Sequence, residues 1–127
     1  MNMGASLKIR DAVSPSGAKL AIVTLDNRFD STVSYELRSQ LQQVVDFGYA
    51  NLLLDMHAVR SFDSSGIGLL VSVARRCRDQ RGCVVLFALP DIVTVALETA
   101  SLLSMFTIFP DEAAAIQGFT EVKSPYV

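Results

Sequence analysis

The chain has no tryptophan, one histidine, two cysteines and no long apolar run. Each scarcity removes a class of protein. With His57 alone, no His/Cys cluster has the spacing of a zinc site. Cys77 and Cys83 stand close together in sequence, with no second pair to join, so they are expected as reduced thiols rather than a disulfide framework. No apolar stretch reaches the roughly 20 residues that cross a bilayer. The first residues, Met1-Asn2-Met3-Gly4-Ala5-Ser6, lack the hydrophobic core of a secretion signal, so a cytoplasmic protein with no membrane association is expected. Basic residues form no long run, and the formal net charge is −2, which argues against a nucleic-acid partner. The densest basic group, Arg75, Arg76, Arg78 and Arg81, has helical spacing and reads as a solvated face.

What remains is a composition for folding. Half of the 127 residues are apolar and 19% are charged, which fits one globular domain and excludes a disordered chain. Apolar runs and helical repeats alternate. Residues 7–13 and 19–25 read as a hairpin around Ser14-Pro15-Ser16-Gly17. Ser31 or Thr32 is placed to cap a helix extending to about Phe47, with Val33, Leu37, Leu41, Val44 and Val45 inward and Gly48 as its stop. Leu52–Asp55 and Cys83–Leu89 read as buried strands. A second helix runs to about Gln80, closed by Gly82; a third opens at Pro90-Asp91, Thr107-Ile108-Phe109 reads as a short strand, and a last helix opens at Pro110-Asp111-Glu112. The order ββαβαβαβα predicts an α/β fold: a single domain with a mixed, mostly parallel sheet flanked by helices. The domain spans residues 1–127, with a core at about 7–118 and loose tails. Leu53, Ile67, Val71, Val85 and Leu86 are expected in the core.

One segment carries more chemistry than folding requires. In Ser61-Phe62-Asp63-Ser64-Ser65-Gly66-Ile67-Gly68, a loop after a buried strand turns into a helix. The first N–H groups of a helix lack partners and favour negative charge. Asp63 or Ser64 can cap that end. One cap suffices, yet three polar side chains precede two glycines, and glycine in a first turn weakens a helix while admitting close approach to its backbone. A serine here can cap, receive a phosphate or act as a nucleophile. Ser65, one step into the helix, projects outward with a free hydroxyl, and a phosphate there lies over the helix N-terminus. A nucleophile elbow needs Gly where Phe62 stands, so a Ser-His-Asp hydrolase built with His57 fits poorly. Gly66-Ile67-Gly68 is neither a dinucleotide fingerprint nor a Walker loop. Asp30 ends another strand-to-helix loop, and such loops share one edge of a parallel sheet. It serves either as a cap or as a partner of the serine loop. No cofactor is indicated, and no catalysis.

Phe62-Asp63-Ser64-Ser65-Gly66-Ile67-Gly68-Leu69 resembles the phosphorylation motif of the anti-sigma factor antagonists, small bacterial proteins of the STAS fold. Phe29-Asp30 with Leu37-Arg38 and Leu41, and Gly82-Cys83-Val84-Val85, resemble other parts of that family. The likeness runs from about Leu7 to Gly118. It implies that Ser65 is phosphorylated by an ATP-dependent serine kinase that is itself the anti-sigma factor. It also implies that Asp30, Asp63, Ser64, Gly66, Ile67 and Gly68 form the kinase contact. The unphosphorylated protein then binds the kinase and frees the sigma factor, and a phosphatase resets it. A monomer or weak dimer is expected. Two positions depart from the pattern: Asn27, expected to take left-handed geometry in place of glycine, and Ser101, where the family has glycine after the third helix. The alternative is a STAS scaffold or transporter-associated subunit.

Overall fold

The computed structural model describes residues 7–119; the tails expected to be loose lie outside them. Strands β1 (Leu7–Val13) and β2 (Lys19–Leu25) pair antiparallel, with Leu7 opposite Leu25. Strand β4 (Leu52–Asp55) lies parallel to β2, β6 (Val84–Phe87) parallel to β4, and β7 (Thr107–Phe109) parallel to β6. The five-stranded sheet has the order β1-β2-β4-β6-β7, mixed and mostly parallel as its sequence pattern predicts. Helices α1 (Ser34–Asp46), α2 (Ser64–Asp79) and α3 (Asp91–Thr99) complete the crossovers, and α4 (Glu112–Gly118) follows β7.

Both faces of the three central strands are buried, which is why β2, β4 and β6 read as continuous apolar runs rather than alternating ones. On one face Ala21, Val23, Leu25, Leu52, Leu54, Val84 and Leu86 meet α1, α2 and α3. On the other, Leu20, Ile22, Leu53, Val85 and Phe87 pack against Ala115 and Phe119. The edge strand β1 is tied to α4 by an Arg10–Glu112 ion pair.

Of the expected core, Leu53, Val85 and Leu86 are fully buried, but Ile67 and Val71 are only half-buried. The inward stripe of α2 is Gly66, Leu69, Leu70, Val73, Ala74 and Cys77. The helix is rotated because Gly66, not Ile67, faces the protein. Both cysteines are buried and neither is in a disulfide, and burial pushes the Cys77 thiol up to about 12. In α3, Val93 and Leu97 face inward while Ile92 and Val95 are exposed.

Helix ends depart from expectation in instructive ways. Neither Ser31 nor Thr32 caps α1: its first flanking residue is Val33, with no side-chain bond to the helix. At the end of α2, Arg81 takes the left-handed conformation (φ 65°), with Arg81 N–H on Arg78 O at 2.8 Å and Gly82 N–H on Cys77 O at 2.7 Å. This is a Schellman ending with the glycine one position late. The end of α3 repeats it: Ser101 has φ 61°, and Leu102 N–H reaches Leu97 O at 2.8 Å. The turn is kept without glycine, at the cost of a side chain in left-handed space. Ser101→Gly is therefore expected to stabilise the protein by about 0.5–1 kcal/mol. Urea denaturation checks it; an unchanged or lowered midpoint contradicts the assignment of strain. Asn27 is not left-handed. It serves through its carbonyl, which accepts from Arg60 N–H at 2.7 Å and Ser61 N–H at 3.0 Å.

Candidate functional site

Two short strands that periodicity does not reveal build the site. β3 (Arg28–Phe29) and β5 (Ser61–Phe62) pair in parallel, Arg28 beside Ser61 and Phe29 beside Phe62, as a two-stranded sheet separate from the main one. Their carboxyl ends lead into α1 and α2, so the Asp30 loop and the Asp63–Ser65 loop are neighbours. Phe29 and Phe62 stack, with ring centroids 5.5 Å apart, a separation at which aromatic pairs attract. Gly66 lies against them. A Cβ there meets Phe29 O at 2.4 Å and both phenyl rings at 2.9 Å. The close approach that this glycine permits is thus inside the protein, between the first turn of α2 and β3. Gly68 differs: it is exposed, and a Cβ there meets nothing within 4 Å.

Asp63 caps α2. Its Oδ1 accepts from Ser65 N–H at 2.9 Å and Gly66 N–H at 3.3 Å, the role its position before a helix predicts. Its Oδ2 accepts from Ser31 N–H at 3.4 Å across the gap between the loops. Ser64 is exposed and Ser65 half-buried. Among the described residues the Ser65 hydroxyl has no hydrogen-bond partner, since the capping is done by Asp63. The Ser64 hydroxyl has none either, and both stand at the positive end of the helix.

Asp30 lies at the same edge, tied both to its own loop and to Ser61 on β5. It is buried, and its carboxylate accepts from the Ser61 hydroxyl and from Thr32 N–H at 2.9 Å, with Arg28 Nη2 at 3.3 Å. Arg28 Nη2 also donates to Thr32 Oγ1 at 3.0 Å. The Ser61 bond holds the Asp30 carboxyl below the usual carboxylate range; burial opposes this, and the Thr32 N–H and Arg28 add to it. No hydrogen bond joins Asp30 to Ser65. Ser61, Arg28 and Thr32 were not apparent as site residues in the sequence. The available signal was Ser61 two positions before Asp63, on the same side of a strand. A depressed carboxyl contributes stability above its unfolded pKa, lost as pH falls through the folded one. Asp30→Asn is expected to flatten the acid limb of the stability–pH profile below about pH 4. Melts across pH 2–7 check this, and an unaltered limb contradicts it.

His57 is exposed. Its Nδ1 lies 2.8 Å from Asp55 Oδ1. The cleft beside it is lined by Lys8, Thr24, Leu25, Asp26 and Ala58, with no serine among them. No hydrogen bond joins His57 to Ser64 or Ser65, the contact on which a Ser-His-Asp hydrolase is built. Among the described residues no cluster of three His, Cys, Asp or Glu has the arrangement to hold a metal ion, and no helix is long and apolar enough to cross a membrane.

A mixed sheet carries on its carboxyl edge a two-loop platform, and at a helix N-terminus the platform presents two serines, Ser64 and Ser65, whose hydroxyls have no hydrogen-bond partner among the described residues. That arrangement defines the class, and sequence comparison supplies the family. The chain belongs to the STAS domain family, whose sequence profile matches residues 8–115. It is similar to BtrV of Bordetella bronchiseptica, which carries the name anti-sigma factor antagonist: 27% identity over 100 residues, 79% of this chain and 86% of that protein. The fold is also that of an anti-sigma-factor antagonist domain protein from Planctomyces limnophilus (TM-score 0.70, 18% identity, 85% of this chain and 94% of that one). The Bacillus cell fate determinant SpoIIAA, solved in its phosphorylated form, shares it too (TM-score 0.63, 14% identity, 86% and 96%).

Proposed function

We propose that this protein is an anti-sigma factor antagonist switched by phosphorylation at Ser65. Unphosphorylated, it binds an anti-sigma factor that is also a serine kinase and so releases the sigma factor. The kinase moves the terminal phosphoryl group of ATP to Ser65 Oγ. The bond between the β- and γ-phosphates breaks, ADP leaves, and the hydroxyl proton passes to a base on the kinase. A phosphatase hydrolyses the ester and resets the switch. The protein itself performs no catalysis in this scheme.

The observation that carries the reading is the unbonded Ser65 hydroxyl beside Asp63. Asp63 caps the helix through the Ser65 N–H, so the Ser65 hydroxyl is unengaged and sits where an anion is favoured. Ser64, Asp63, Ile67 and Gly68 form the accessible surround for the kinase, with Gly66 and Asp30 acting from beneath. Gly66 keeps α2 against Phe29, and Asp30, bonded to Ser61 and Thr32, fixes the neighbouring loop. The named likeness to BtrV and the existence of a phosphorylated structure of the same fold support the same reading. The test is a pull-down from the source cell with wild type and Ser65→Asp, followed by identification of what binds. The reading expects an ATP-binding serine kinase retained by the wild type and lost or depleted with Ser65→Asp. A partner of another kind, or equal capture by both, contradicts it.

A further inference from the structure

Asp63 does two things at once, and they compete once Ser65 is modified. One carboxylate oxygen caps α2 through Ser65 and Gly66 N–H; the other holds Ser31 N–H of the neighbouring loop at 3.4 Å. The other ties of that loop hold Thr32 and Val33, not Ser31: Thr32 N–H on the Asp30 carboxylate, Arg28 Nη2 on Thr32 Oγ1, and Val33 N–H on Asp30 O at 3.2 Å. Helix α1 behind it has no side-chain cap, and Ser31 and Thr32 are exposed. Its anchor on the near side is Asp30, held by Ser61, Thr32 N–H and Arg28. Beyond Asp30, the Asp63 carboxylate is the link that sets Ser31 against Ser64.

We infer that the recognition surface spans both loops, Ser31–Thr32 as well as Ser64–Ser65, and that Asp63 holds them in register only while Ser65 is unphosphorylated. This rests on the reading of Ser65 as the modified residue. A phosphate on Ser65 carries about −1.5 to −2 charges and strong acceptor oxygens. It competes with Asp63 for the N–H groups at the start of α2, and it repels the carboxylate that holds them. Asp63 turns away and Ser31 N–H loses its acceptor. Asp30 stays in place, since its donors Ser61, Thr32 and Arg28 make no hydrogen bond to Asp63 or Ser65. Ser31 therefore moves, while Thr32, held by Asp30 and Arg28, the fold and the β3–β5 pairing remain. The partner loses the Ser31 contact as well as meeting a new charge. Asp63 is thus a positioning residue, acting on the surface through Ser31.

The test uses the full chain with phosphoserine incorporated at position 65 during translation, and needs neither kinase nor partner. The backbone amide of Ser31 is followed by nitrogen-15 NMR. Its hydrogen exchange is expected to quicken about fivefold, a change in scale with losing a weak hydrogen bond, and its resonance to move. Amides of β3, β5 and Thr32 should hold their positions. Unphosphorylated Asp63→Asn should show the same Ser31 change, because the amide oxygen still caps α2 while the amide nitrogen cannot accept from Ser31 N–H. A Ser31 amide unaltered by phosphoserine overturns the inference, even if partner binding responds to phosphorylation. So does a Ser31 amide that moves with phosphoserine but not in Asp63→Asn. Loss of the whole spectrum in Asp63→Asn leaves the phosphoserine comparison to decide.

Discussion

Phosphorylation of Ser65 is expected to weaken binding to the anti-sigma partner about 150-fold, close to 3 kcal/mol. The physical cause is local. A group with nearly two negative charges joins Asp63 on a surface that binding must strip of water. The helix N-terminus steadies the phosphate on the free protein, so the fold is unchanged. The bound state gains no such help and must desolvate an unmatched charge. Ser65→Asp carries one charge and reproduces part of the loss. Ser65→Ala binds like the unphosphorylated wild type and is never released. Calorimetry with the purified kinase, the two variants and both phosphorylation states measures this directly. Equal affinity for the two phosphorylation states removes the switch.

Gly82→Ala is expected to destabilise the fold by about 3–5 kcal/mol, more than an ordinary surface change. The cause is not backbone conformation, since the left-handed residue there is Arg81. A Cβ on Gly82 falls 1.9 Å from Ala50 O and 2.3 Å from its carbonyl carbon. The obstacle is backbone at the approach to β4, fixed by Asn51, whose Oδ1 accepts from Cys83 N–H at 3.2 Å. Two main chains must separate to admit one methyl group, and β4 and β6 pair just beyond. Urea unfolding reads the loss. A change under 1 kcal/mol means that this contact relaxes freely.

These two positions show what a sequence reveals. Gly82 is visible as a helix stop because glycine punctuates helices, but the reason it must be glycine is a contact with Ala50, a neighbour distant in sequence that periodicity does not record. The strands β2, β4 and β6 are legible because burial on both faces leaves unbroken apolar runs. Asp63 is legible as a cap because capping is local. The pairing of β3 with β5 is not legible: two residues have no period, and their partner lies 33 positions away. With that pairing hidden, Ser61 appears as a loop serine rather than as the hydroxyl that holds Asp30. The rotation of α2 is hidden for the same reason. Ile67 is the larger apolar residue, but Phe29 occupies the space above Gly66 and turns that face inward. Asp30 is legible as a member of the site edge, while its burial under Arg28 and Ser61 follows only from the assembled loops.

The central claim is that Ser65 is the residue that receives phosphate. The most direct measurement is mass spectrometric mapping after incubation of the wild type, Ser64→Ala and Ser65→Ala with the source cell's anti-sigma kinase and ATP. One phosphate on Ser65 in the wild type and in Ser64→Ala, and none in Ser65→Ala, is the result predicted. Phosphate on Ser64, or its persistence in Ser65→Ala, contradicts the account.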